Sequence, residues 1–317
     1  MNKKIAMRDA LLGQIYERMH HDESIFFVTA DFGSPVLDSI RNDFADRFVN
    51  VGIAEQNLVN ISAGLALEGF KVFAYAIAPF ITMRCFEQLR VNLALLSEVR
   101  QLNVNLIGVG AGYSYVVSGP THQCYEDISL IRSLPNFKIF SPSDQHISAA
   151  LIDNCLNSGG PKYIRLDAQI LPELRQNINP KVMADGFETL RVGKDGVLIS
   201  TGYMTHTALK VSQILAPKVE LAVVDLFNLT GFDGDTLNNA IKNQPFVASL
   251  EEGFEGRGGM DALLSRYFVN SDRDTTFYGM GVTPGYNFEL GTRQELHERV
   301  GIGHEAVVKR LEKHLNL

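Results

Sequence analysis

Cys85, Cys124 and Cys155 are the only cysteines in this chain, an odd number without metal-ligand spacing. That argues against a disulfide framework and a cysteine-based zinc site, and leaves buried free thiols as the reading. Basic residues are also in short supply: 29 lysines and arginines stand against 36 acidic residues, a net charge of −7. No basic patch offsets that balance, and the longest basic run is Lys3-Lys4, so no nucleic-acid partner is expected. No apolar run approaches ~18 residues, so no membrane span is expected. The opening MNKKIAMRDALLGQIYERMHHD is broken by charges every few residues and lacks the apolar core of a signal peptide; the chain is expected to be cytoplasmic. Repeats at solenoid period and low-complexity tracts are absent as well.

What is present is a globular composition: 317 residues, 45% hydrophobic and 21% charged, with room for two α/β domains. Short apolar runs bounded by turn residues alternate with amphipathic stretches, the pattern of strands and helices around a parallel sheet. Strands are expected at residues 25–30, 72–76, 104–109, 137–140 and 163–166. Met7, Leu11, Ile15 and Met19, spaced by four, place one apolar face on a helix over residues 6–19. The stretch LPELRQNINPKVMADGFET is polar, carries two prolines and lacks sustained periodicity, so it reads as a linker. A second unit follows, with strands expected at 197–200, 221–224 and 246–250 and helices at 207–215 and 260–268.

Three segments invite a chemical reading: VGIAEQN (51–57), SGPTHQ (118–123) and EEGFEGRGG (251–259). Glu55 is placed to open a helix, where a carboxylate is favoured by the macrodipole with or without a further task. His122 sits in a Gly-Pro turn and projects from a loop, where binding and catalytic groups concentrate. The glycines near Gly256 match neither the dinucleotide fingerprint nor a phosphate-binding loop, and read as a turn into a helix after Gly259.

In combination these segments say more. VGIAEQNLVNISAGLALEG, then AYAIAPF, GPTHQ, SLPNFKIFSPSD and YIRLD, in that order and spacing, resemble the pyrimidine-binding domain of transketolases and of 1-deoxyxylulose-5-phosphate synthases. LISTGYMTHTALKVSQIL and VASLEEGFEGRGG resemble the C-terminal domain that follows it. The resemblance implies two three-layer α/β/α domains, each with a mostly parallel sheet: residues 1–172, a linker at 173–190, and residues 191–317. It implies thiamine diphosphate as cofactor, with Glu55 bonding the pyrimidine so that the imino form can deprotonate the thiazolium ring. Phe80 takes the place of the aromatic stacked on the pyrimidine, and Met83 and Phe86 would complete an apolar wall unless they are ordinary core residues. His122 matches the histidine that reaches substrate oxygens, while Arg8 and Arg165 match the arginines that hold a sugar phosphate.

The sequence departs from that pattern twice. The family's diphosphate-binding half, with its Gly-Asp-Gly motif and magnesium site, is missing; the nearest run, Asp233-Gly234-Asp235, reverses the order. A separate N-terminal subunit holding most of the Mg2+ ligands is therefore implied, as in split transketolases that form a heterotetramer with two copies of each chain. In the substrate loop, Ser118 replaces an acidic residue and Gly110 stands near where a further histidine is usual, which implies an altered sugar substrate. A 1-deoxyxylulose-5-phosphate synthase, a 2-oxo acid dehydrogenase beta chain and a non-catalytic regulatory subunit are the competing readings.

Overall fold

In the computed structural model, which describes residues 5–270 and 276–317, runs such as IFFVT and KYIRL are covered on both faces, with Lys162 and Arg165 of the second run buried as well. They belong to a six-stranded sheet of β1 (Ile25–Thr29), β2 (Phe48–Asn50), β3 (Lys71–Ile77), β4 (Asn103–Val109), β5 (Lys138–Phe140) and β6 (Lys162–Leu166). The order is β2-β1-β3-β4-β6-β5, parallel throughout. Parallel strands need helical crossovers, which bury the sheet on two sides and leave the strands apolar throughout rather than alternating. The Lys3-Lys4 pair lies outside the described residues.

One face of this sheet packs against α1 (Met7–Met19), α2 (Pro35–Asp43) and the helix Gln145–Asn157. Met7, Leu11, Ile15 and Met19 are all buried there, as their spacing predicts. The opposite face packs against α3 (Glu55–Leu67) and a composite helix running from Phe80 to Val99, in which Phe80–Arg84 and Leu89–Leu95 are π-helical. Wide turns of this kind recur at functional sites because they re-aim side chains without ending the helix.

The second sheet contains β7 (Phe187–Arg191), β8 (Gly196–Ser200), β9 (Leu221–Leu226), β10 (Phe246–Phe254) and β11 (Thr276–Val282), in the order β11-β10-β8-β9-β7. All its pairings are parallel except β7 with β9. Helices Gly234–Ile241 and Met260–Val269 cover one face, and Met204–Leu215 and His304–Leu315 the other. Both domains are therefore α/β/α sandwiches with mostly parallel sheets. A single apolar cluster continues from the first sheet into the second, through residues such as Val104, Ile139, Val197 and Val224.

The stretch read as a linker is ordered in its second half. Asn179 accepts a hydrogen bond from the Lys181 amide, Pro180 starts the helix Pro180–Asp185, and Gly186 ends it at φ 78°. Proline at the first helical position and glycine just past the last are boundary signals, so one of the two prolines read as marking a linker starts a helix. The chain then enters β7, whose FETLR is buried only at Phe187 and partly or fully exposed beyond it. β2, with three residues, and β11, with two glycines, also lacked a continuous apolar run.

Candidate functional site

The chain leaves β1 for β2 on one side and returns to β3 on the other, so the carboxyl ends of β1 and β3 flank a topological switch point, where open α/β sheets bind ligands. Glu55 begins α3 just beyond β2, in the first turn, where free N–H groups favour negative charge. Its side chain is buried. Arg84 Nη1 donates to Glu55 Oε2 at 2.7 Å, and the same guanidinium lies over the Phe80 ring, 4.3 Å from its centroid. The Phe80 ring meets the His122 imidazole edge-on, with centroids 5.2 Å apart. Glu55, Arg84, Phe80 and His122 thus form one contiguous cluster drawn from α3, the π-helical turn after β3 and the loop after β4. Sequence reading missed Arg84, although its position four residues after Phe80 places the two on one helical face.

Met83 and Phe86 part company. Phe86 is half-buried against the apolar core, whereas Met83 is 38% exposed and is not a core residue. Ile53, just before α3, and Val91 and Leu95, on the composite helix, are also exposed.

His122 lies in a loop stapled at its base. Gly112 and Cys124 form an antiparallel bridge, and the Tyr113 amide donates to Glu252 Oε1 at 2.9 Å. The imidazole Nδ1 is 3.0 Å from the Thr121 hydroxyl, and Ser118 is exposed at the end of a short turn, Val116–Ser118. At Gly110, φ is 101° and a Cβ would meet the Tyr115 ring at 2.1 Å, so a tyrosine ring fills the space a side chain at 110 would need.

Arg165 does not reach the site surface. It is fully enclosed: Nε donates to Asp127 Oδ2 at 2.7 Å, and Nη2 to the Cys124 and Glu252 carbonyls. Burial opposes its charge, but Asp127 and Glu252 outweigh that and raise its pKa. These donors are taken up inside the protein, where they anchor the base of the His122 loop, so the structure places Arg165 in the interior and not at the surface where a substrate phosphate is expected. Arg8 is half-buried, with Nε and Nη2 on the Asp9 carboxylate. The Asp9 hydrogen bond raises its pKa, and Tyr75 and Tyr115 add to it.

Behind the loop the two domains share a buried ion cluster. Arg293 spans Asp167 of the first domain at 2.6 Å and Glu252 of the second at 2.8 Å, and His297 Nε2 lies 2.6 Å from Glu252 Oε1. Burial would raise the Glu252 carboxyl, but Arg293 and His297 hold it well below the usual carboxylate range. Its neighbour Glu251 has no such cation in contact among the described residues, and burial pushes its carboxyl up to about 7. Among the described residues no group of three His, Cys, Asp or Glu side chains is placed to hold a metal ion, and no helix is long and apolar enough to cross a membrane.

Residues 3–173 match the family model for the transketolase pyrimidine-binding domain, and residues 186–307 that for the transketolase C-terminal domain. Among similar proteins, one of the subunits of the apulose-4-phosphate transketolase of Actinobacillus succinogenes is 33% identical over 267 residues, 84% of each chain. Its namesake from Phocaeicola vulgatus is 28% identical over 310 residues, 97% of each. A solved structure described as a split gene transketolase, inactive beta4 tetramer, superposes with a TM-score of 0.85 at 29% identity over 99% of both chains. A transketolase from Campylobacter jejuni shares the fold, with a TM-score of 0.81 at 20% identity, over 98% of this chain and 47% of its own. The chain belongs to the transketolase family, of which it carries the pyrimidine-binding and C-terminal domains.

Proposed function

We propose that this chain is the C-terminal subunit of a split transketolase, which transfers a two-carbon ketol unit between sugar phosphates with thiamine diphosphate as cofactor. The observation that carries the reading is the buried Glu55 carboxylate, linked through Arg84 to the Phe80 ring, with His122 edge-on to that ring. These groups fit the aminopyrimidine end of the cofactor: a fixed acceptor for a ring nitrogen and an aromatic face for stacking. When bound, the cofactor supplies the carbanion equivalent that takes up and passes on the ketol unit. Glu55 holds the proton-bearing nitrogen of the pyrimidine, Phe80 orients the ring, and His122 donates to the substrate oxygen on which negative charge develops. Arg8, half-buried and paired with Asp9, is the cation left to meet a substrate phosphate.

The diphosphate and Mg2+ are assigned to a separate N-terminal subunit, in a heterotetramer with two copies of each chain. Exposed apolar side chains support a subunit contact there: Met83 precedes Arg84 and Ile53 lies two residues before Glu55, and both are exposed. The relative described as inactive is a tetramer of its beta chain alone, which agrees with dependence on a partner.

The donor is proposed to be a ketose phosphate other than xylulose 5-phosphate. Gly110 and Ser118 leave the loop without two polar groups, and Tyr115 covers the first position. Two relatives carry apulose 4-phosphate in their names, which makes it the first donor to try. The test is ketol transfer by the purified chain with thiamine diphosphate and magnesium, alone and with the neighbouring gene's product, over a panel of ketose phosphates. Activity confined to the mixture is expected; activity of the chain alone would remove the partner, and inactivity across the panel would favour a non-catalytic role.

A further inference from the structure

Arg84 makes, within this chain, the same contacts that the reading above gives to the cofactor's aminopyrimidine. A guanidinium is flat, lies face-on to aromatic rings and donates hydrogen bonds in its plane. Here it lies over Phe80 at 4.3 Å and donates to Glu55 Oε2 at 2.7 Å. Among the described residues, Arg84 is the only side chain hydrogen-bonded to that carboxylate. The two partners differ in freedom: the Glu55 side chain is 3% exposed and the Arg84 side chain 44%. The carboxylate is held in the interior while the arginine reaches it from the solvent side. Gln56 Nε2 donates to the Arg84 carbonyl at 3.4 Å, so the backbone is tied and the side chain is the part free to swing.

A carboxylate at that depth without a partner is costly, so the chain needs a counter-charge whenever the cofactor is away. We propose that Arg84 is a stand-in for the aminopyrimidine: it keeps Glu55 paired and the Phe80 face covered in the cofactor-free chain, and swings outward as the cofactor enters. The inference rests on the reading that Glu55 and Phe80 receive the cofactor, and adds that the chain competes with it for its own site. Two flat groups cannot share that face of Phe80, so the apparent cofactor affinity is lowered by the fraction of chains in which Arg84 is seated.

The test is the dissociation constant for thiamine diphosphate, read by calorimetry on the chain assembled with its diphosphate-binding partner, for wild type, Arg84→Ala, Arg84→Lys and Glu55→Gln. Arg84→Ala is expected to melt at a lower temperature as the isolated chain, since Glu55 loses its counter-charge, yet to bind thiamine diphosphate about tenfold more tightly in the complex. Arg84→Lys keeps the charge but loses the flat group over Phe80, and is expected to fall between them. Should the alanine variant fail to fold, the lysine variant decides alone. Unchanged or weaker binding in the folded variants, with wild type binding normally and Glu55→Gln weakened, would overturn the stand-in and make Arg84 a residue that stays in the loaded site. Normal binding by Glu55→Gln would instead overturn the functional reading on which the inference rests, and the stand-in with it.

Discussion

Arg165 Nε donates to Asp127 Oδ2 at 2.7 Å with both side chains sealed from solvent. The pair joins β6 to the helix Asp127–Arg132, and through the Cys124 and Glu252 carbonyls it ties the His122 loop to the second domain. Removing one member of such a pair leaves a buried, uncompensated charge. Arg165→Met is therefore expected to lower stability by about 3–5 kcal/mol in urea unfolding. Asp127→Asn added to it should recover part of that loss. A variant of unchanged stability whose only defect is a raised KM for sugar phosphate would return Arg165 to the phosphate site.

Glu55→Gln keeps the size of the side chain and removes its basicity. Ketol transfer by the assembled enzyme is expected to fall by about 100-fold or more, with the fold intact by circular dichroism. Turnover within a few-fold of wild type would show that Glu55 is only a helix-start carboxylate.

The Glu251 and Glu252 carboxyls respond to pH with opposite signs. Burial pushes Glu251 up to about 7, and its Oε2 has no hydrogen-bond partner among the described residues. An unfolded glutamate titrates near about 4.3, so the folded chain holds this proton over a higher range. Its contribution to stability is complete below about pH 4.3 and is lost as pH rises through 7, at up to about 1.4 kcal/mol per pH unit. Urea midpoints measured from pH 4 to 8 should therefore decline less steeply in Glu251→Gln than in wild type. Parallel curves would locate the titration elsewhere.

Glu252 is held low by Arg293 and His297, so its contribution is present above about pH 4.3 and is lost as the solution is acidified through the depressed folded value. Glu252→Gln is expected to flatten the acid limb of the same midpoint curve. An unchanged acid limb would mean that other carboxylates set it.

Ile53, two residues before Glu55, and Leu95, on the composite helix, are exposed apolar residues. Leu95→Asp is expected to stop co-elution with the partner subunit on size exclusion while leaving the melting temperature of the isolated chain unchanged, because a charge in the centre of an apolar interface is not resolvated there. Retained co-elution would move the interface elsewhere.

Much of the architecture was legible in the chain itself. Apolar runs such as VFAYAI in β3 and LIGV in β4, alternating with amphipathic stretches, fit a parallel sheet buried on two faces, and the four-residue spacing in α1 sets one face of that helix on a core. The order of GIAEQN, APF and GPTHQ likewise marked Glu55, Phe80 and His122, which the fold brings into one cluster through the Phe80 ring. What local sequence did not carry was the identity of each charge's distant partner. YIRLD announces an arginine, but nothing near it says that Asp127, 38 residues earlier, will take its Nε in the interior. Nor does PFITMR say that Arg84 will turn back onto Glu55, 29 residues away, or GVGAGYSY that Tyr115 will cover Gly110. Periodicity and residue type determine elements because they act over one or two turns of chain. Whether a guanidinium binds substrate or holds the protein together depends on which carboxylate the packing of whole domains delivers, and that only the tertiary structure decides.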